Sequence, residues 1–409
     1  MPNTSRATLA VALLAVLALA SIAPRGTEPA FAAPRPARTL LQNPDFERSL
    51  SNHSWMPVGW DTSMADLPTV FFGRDSFLVH GGRWAINVAN TSTAFPMAHN
   101  WNQTILVGPE AWGKTASFKV WTRSNGLEGR AYILIQAYRD TASKMGRIWG
   151  VEHDEALKRL GIGKLDDPIL DLGWKRVSFD DPMTEWVERE AKTRVPPGTN
   201  VIFVRCGLVG TGQVLFDDAS LALQPGATPP RHAKGENLFA EPGFEERGLA
   251  WDIAVPPYEG SRLIIDSTVA HTGRKSVRVS DFWDGLVEAK IGVGQPFDAR
   301  PLRGQRVRLS GWFKGDSLRS IAYVKIYAHG LRSGVRQSPG AELLSETWDW
   351  KQLAIELDIP EDAELVWANL QAQAPARGTV WIDDTVFAVV GPATTAENAA
   401  RKAKAPAKR

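Results

Sequence analysis

Short runs in which every second residue is apolar recur along this chain. Val307-Arg-Leu-Ser-Gly-Trp-Phe, Leu353-Ala-Ile-Glu-Leu-Asp-Ile359 and Ser276-Val-Arg-Val279 each space their bulky side chains two apart. Neighbouring side chains of a strand point to opposite faces, so such runs bury one face and wet the other. Gly, Pro and Asn separate them. Many short alternating strands between turn residues predict an all-β fold of antiparallel sandwiches. One stretch, 140–172, breaks the pattern. There Glu152-His-Asp-Glu-Ala-Leu-Lys-Arg-Leu160 carries helix formers, with His153 or Asp154 as cap and Gly161 as stop.

The alternating runs are written twice. Asn43-Pro-Asp-Phe46-Glu47 is echoed by Glu241-Pro-Gly-Phe244-Glu245, and Val79-His80-Gly-Gly82-Arg83 by Ala270-His271-Thr-Gly273-Arg274. Further on, Phe118-Lys-Val-Trp121 matches Leu309-Ser-Gly-Trp312, and the run ending at Tyr138 matches the one ending at Tyr327. Each copy closes on a strand with paired acids, Val214-Leu-Phe-Asp217-Asp218 and Val380-Trp-Ile-Asp383-Asp384. Matches in one order imply tandem copies of a single β-sandwich, at 38–223 and 236–391, joined by a Pro-rich linker at 224–235. One acid of each pair must face the packed side, where a carboxylate needs a cation, a metal or several donors.

Composition adds limits. A chain of 409 residues suits two or three domains. A formal net charge of +2 creates no field that would recruit nucleic acid. Residues 1–32 read as a secretory signal peptide: Arg6 precedes an apolar run over 9–22, and Ala30-Phe31-Ala32 is a small-x-small cleavage pattern. The run is short for a bilayer span, so the chain is expected to be secreted or held at the cell surface. Residues 392–409 are small, basic and aperiodic, the composition of a disordered tail. Cys206 is the single cysteine and reads as a small core residue. The sequence carries no Gly-x-Ser-x-Gly elbow, His-Glu-x-x-His pair or phosphate-cradling glycine loop.

Taken together, these motifs resemble the galactose-binding-like jelly rolls, closest to carbohydrate-binding modules of families 4, 9 and 22. The resemblance rests on the opening Asn-Pro-Asp-Phe-Glu47, on His271-Thr-Gly-Arg-Lys-Ser-Val and on the closing Ile-Asp383-Asp384 strand. It implies a structural calcium in each copy, held by Glu47 with Asp217 and by Glu245 with Asp383. The bare residues leave another solution open, an Arg such as Arg83 or Arg274, or backbone N–H donors. The resemblance also implies a secreted, non-catalytic protein that binds polysaccharide or glycan, including cell-surface or wall material, on aromatic rings. Trp101, Trp149 and Trp283 have no counterpart in the other copy and lie in loop-like sequence. They are the first ligand candidates, followed by Tyr138 with Gln136 and by Tyr327. Trp121 and Trp312 recur at one position and are weaker candidates, since Trp also fills cores. Two other uses of such a scaffold stand beside this one: an adhesion protein making protein contacts, and a jelly-roll lyase or hydrolase.

Overall fold

The computed structural model describes residues 39–63, 67–140, 159, 169–182, 184–254, 262–280, 289–319, 321–343, 346–374 and 377–394. The segment read as a signal peptide, all but Arg159 of the expected helix, and the tail beyond 394 lie outside these residues.

The first half holds β1 (Asp61–Thr62), β2 (Val70–Asp75), β3 (Ala85–Asn90), β4 (Ala98–Leu106), β5 (Thr115–Asp140), β6 (Ile169–Phe179), β7 (Val187–Arg194) and β8 (Val201–Gln224). Strands β5 and β8 are long because each runs through both layers of the sandwich. Thr115 to Asn125 of β5 pairs with the far end of β8, and Glu128 to Tyr138 pairs with its beginning. One layer is therefore β6–β5–β8–β4–β1 and the other β7–β5–β8–β3–β2, continuous as a single eight-stranded sheet folded on itself. The fold-over falls at Gly126, Gly129, Gly210 and Gly212, all with positive φ. A Cβ on Gly129 would collide with the Val209 carbonyl oxygen. Ile133, Ile135 and Val204 of one layer meet Phe118, Val120 and Phe216 of the other in a closed core.

The second half holds β9 (Asp252–Ala254), β10 (Arg262–Asp266), β11 (Ser276–Ser280), β12 (Ala289–Asp298), β13 (Gln305–Leu318), β14 (Ile321–Gly330), β15 (Gly334–Gln337), β16 (Ala341–Leu343), β17 (Glu346–Asp358), β18 (Ala363–Ala374) and β19 (Thr379–Pro392). Here the layers are separate sheets. One is five-stranded, β10–β11–β19–β13–β17; the other is six-stranded, β15–β14–β18–β12–β9, with β16 also on β14. The order repeats that of the first half, with β13 and β14 in place of β5 and with β18 and β19 in place of β8. Val324, Ile326 and Leu370 of the six-stranded sheet pack on Val307, Phe313 and Ile382 of the five-stranded one. The protein is thus all-β, with two sandwiches in tandem, and both belong to one compact unit.

The paired acids mark a change of parity. In β8 the residues that join the sandwich core before them are even, Val214 and Phe216, and after them odd, Ala219 and Leu221. The same switch separates Val380 and Ile382 from Phe387 and Val389 in β19. Asp218 and Asp384 take left-handed φ values of 44° and 45°, and the ladder register shifts opposite each. Such a bulge turns the strand by one residue, and Asp tolerates that backbone better than most side chains.

Candidate functional site

The bulge sends Asp217 and Asp383 inward, both 0% exposed. Asp217 Oδ2 accepts the N–H groups of His80 (2.8 Å) and Gly81 (3.1 Å), and Oδ1 accepts that of Asp218 (2.8 Å). Asp383 repeats the pattern with His271 (2.7 Å), Thr272 (3.2 Å) and Asp384 (2.7 Å). Burial pushes the Asp217 carboxyl up to about 6, against the pull of these amides, and raises Asp383 as well. From the other end of the same turn, Glu47 Oε1 accepts from the amides of Arg83 (2.6 Å) and Trp84 (3.0 Å), and Glu245 Oε1 from those of Arg274 (2.8 Å) and Lys275 (3.1 Å). Arg83 and Arg274 therefore contribute main-chain N–H groups to these acids. The outward Asp218 and Asp384 meet His80 Nδ1 (2.7 Å) and His271 Nδ1 (2.6 Å). Those imidazoles lie flat on Trp121 and Trp312, with ring centroids 3.9 and 4.1 Å apart.

Calcium takes six to eight oxygens at about 2.3–2.6 Å. The acids expected to hold it face N–H groups, and the main-chain oxygens beside them face cations: Arg74 Nη2 donates to the Glu47 carbonyl (2.8 Å) and Lys275 Nζ to that of Glu245 (2.7 Å). Among the described residues no three His, Cys, Asp or Glu side chains gather as metal ligands. As arranged, this donor set does not fit a calcium ion.

The expected ring candidates divide. Trp149 and Trp283 lie outside the described residues. Trp101 is not in a loop: it sits on β4, is 0% exposed, and donates Nε1–H to the Asn87 carbonyl (2.7 Å). It shares its face with Ile105, the face that alternation turns into the core. Trp121 and Trp312, opposite Asp217 and Asp383, are half-buried under the histidines. Gln136 is buried and donates to Asp171, beside half-buried Tyr138. Tyr327 stands on β14 directly across from Trp367 on β18.

Trp367 leads to a site that those candidates omit. On β18, Trp367, Asn369 and Gln371 alternate with core residues Ala368, Leu370 and Ala372, so they share the outer face of the six-stranded sheet. Beside them Gly292 and Gly294 of β12 leave the sheet surface low. Trp174 and Arg176, two apart on β6, face it from the first sandwich. Trp174, Arg176, Asp252, Gly292, Gly294, Trp367, Asn369 and Gln371 are among the residues that line a cleft of about 200 Å³. Trp174 and Trp367 meet edge to face with centroids 5.4 Å apart, and Trp174 Nε1–H donates to Asp252 Oδ2 (3.0 Å). The signal was in the sequence: Trp-x-Arg at 174–176 and Trp-x-Asn-x-Gln at 367–371 are period-two patterns with polar residues on the ring side.

Fold and cleft together define a tandem β-sandwich protein with a ring-lined cleft between its two sandwiches. No family model matches the chain. An uncharacterized helix-turn-helix-type transcriptional regulator of Bacillus subtilis is 28% identical over 141 residues, covering 33% of this chain and 45% of that protein. The chain thus matches less than half the length of that relative. The solved structures to which the chain is similar are mainly carbohydrate-binding modules. A tandem pair of family 22 modules from Paenibacillus barcinonensis Xyn10C matches at 13% identity and a TM-score of 0.29, covering 87% of this chain and 98% of that one. The C-terminal family 22 module of Clostridium thermocellum Xyn10B matches at 17% identity and 0.30, covering 41% and 99%. TM-scores this low leave function to be argued from the cleft.

Proposed function

We propose that this protein binds polysaccharide or glycan without cleaving it, taking a sugar unit in the cleft that Trp174 and Trp367 line. The observation that carries this reading is the pairing of two half-buried indoles with Asn369, Gln371 and Arg176 around one small opening. The apolar C–H face of a sugar packs on an indole, while amide and guanidinium groups address its hydroxyls. The cleft is smaller than a drug-sized pocket and suits one ring of a longer chain. Tyr327 and Tyr323 extend the same sheet face beyond it. Secretion, from the leader at 1–32, is part of the proposal; no described helix is long and apolar enough to cross a membrane.

Affinity electrophoresis in gels of soluble xylan, glucan and mannan tests it. The full chain is expected to be retarded by at least one, with no reducing or unsaturated sugar released. Trp367→Ala is expected to lose the retardation at an unchanged melting temperature. Migration unaffected by every polysaccharide would overturn the reading.

A further inference from the structure

A row of side chains crosses the first sandwich beside the cleft. Leu134 of β5 pairs with Arg176 of β6 on one side and with Arg205 of β8 on the other, so all three share a face. Both arginines lie against aromatic rings. Arg176 is 4.7 Å from the Tyr132 centroid, and Arg205 is 4.5 Å from that of Phe203 and 5.9 Å from that of Trp174.

Arg176 is ion-paired but keeps an open donor, and Arg205 is not ion-paired among the described residues. The Arg176 side chain is only 10% exposed, and its Nε stands 2.9 Å from Asp252 Oδ1. Yet Nε and Nη1 of Arg176, with Asp252 Oδ1 itself, are buried without a hydrogen-bond partner. Asp252 spends its other oxygen on Trp174. Arg205 has no ion pair among the described residues, and burial together with the charge of Arg176 lowers its pKa. Arg130 adds a further buried cation on this side, its guanidinium donating to the main-chain carbonyls of Gly248 and Trp251. The acids that act on these three cations are Asp252, Asp171, Asp180 and Glu241; Asp252 is ion-paired with Arg176, and Asp171 already accepts from Gln136. A buried donor left open, as Arg176 Nη1 is, is costly, and an anion seated between it and Arg205 relieves that cost.

We propose that the sugar unit bound here is acidic: a uronate whose carboxylate is taken by Arg176 and Arg205 while its ring lies against Trp174 and Trp367. The inference rests on the glycan-binding reading and narrows it to one substrate class. A planar carboxylate matches the guanidinium fork in two parallel hydrogen bonds, which a neutral hydroxymethyl group cannot. The ring requirement separates a uronate from a free anion, which would need the arginines alone.

The test compares one uronate-bearing polysaccharide with its carboxyl-reduced form, the same backbone with each acid turned into a neutral alcohol. The full chain is expected to bind the native polymer about tenfold or more tightly than the reduced one. Arg205→Gln, at the partly exposed end of the row, is expected to abolish that difference while weak binding to the reduced polymer persists. Arg176→Lys, which keeps the charge but loses the fork, is expected to reduce it. Melting temperatures confirm that each variant is folded. Equal binding of native and reduced polymer overturns the uronate inference and leaves glycan binding standing; binding to neither overturns both. Displacement of the native polymer by inorganic sulfate at concentrations matched in carboxylate equivalents would show an anion site without sugar specificity, and also overturns it.

Discussion

Asp217 is buried, and what meets it is a set of N–H donors, with no cationic partner among the described residues. Its folded pKa, about 6, stands above the 3.8 expected of an unfolded Asp. The folded state therefore holds this proton more tightly, and the stability so gained is complete below the unfolded value and lost as pH rises through about 6. The loss is bounded at about 3 kcal/mol. Asp217→Asn is expected to flatten the slope of melting temperature between pH 4 and 7; parallel curves for variant and parent would refute it. The same crowding of oxygens by N–H groups and cations predicts that a calcium chelator leaves the melt where it was, and a drop in chelator would restore the metal that the resemblance implied. At this scale the sequence told part of the story. Alternation showed that one acid of each pair turns inward. It did not show the histidine lying flat on Trp121 or Trp312, because that contact joins residues from distant strands. Trp101 misled for a related reason. Polar Asn100 and Asn102 flank it and suggest a loop, whereas they are the outer face of β4, whose inner face is Trp101.

Strands β5 and β8 carry the first sandwich from one layer to the other, and the turn between layers is made of glycine. Gly129 has φ of +138° and pairs with Gly210 across the ladder, with the Val209 carbonyl oxygen where a Cβ would stand. Gly129→Ala adds a methyl group against that carbonyl in a conformation L-residues avoid, a penalty of about 1–3 kcal/mol. Denaturant titration should show the loss as a lower midpoint. An unchanged midpoint would mean that the fold-over does not depend on glycine. Asp383→Ala acts on the other element of this kind. It frees three amides in the turn at 271–272 and at Asp384 of the second sandwich, and is expected to lower the melting temperature of the whole protein. Strand existence was legible from period two, and so was the repeat of one order in both halves. The continuity of β5 and β8 was not. A strand that changes layers also changes which parity is buried, as from Phe118 and Val120 to Ile133 and Ile135, so a pattern search reads it as two strands.

Charged and polar groups join the two sandwiches. Arg130 of the first donates to the carbonyls of Gly248 (2.8 Å) and Trp251 (3.1 Å) in the second, and burial lowers its pKa to about 10. Glu364 of the second, nearly buried, is gripped by Arg194 of the first and by Arg303 at 2.8 Å. Arg247 reaches Asp181 at 2.7 Å, and the carbonyl of Asp171 lies 3.0 Å from His329 Nδ1. Apolar contact is confined to small clusters, with Leu331 against Leu170 and Leu172 and Ile253 beside Tyr132. Buried polar contacts of this kind demand one geometry, since a small slide leaves charges unpaired, at about 1–3 kcal/mol for each group. That geometry is what holds Trp174 and Arg176 of one sandwich against Trp367, Asn369 and Gln371 of the other. Calorimetry of the whole protein should accordingly show one cooperative transition. Arg130→Ala with Glu364→Gln, which leaves both cores intact, should split it into two. If the cleft is the binding site, the same double variant should lose glycan retention at temperatures where both sandwiches remain folded. Retention preserved after the transitions have separated would place the sugar on a single sandwich, away from the junction.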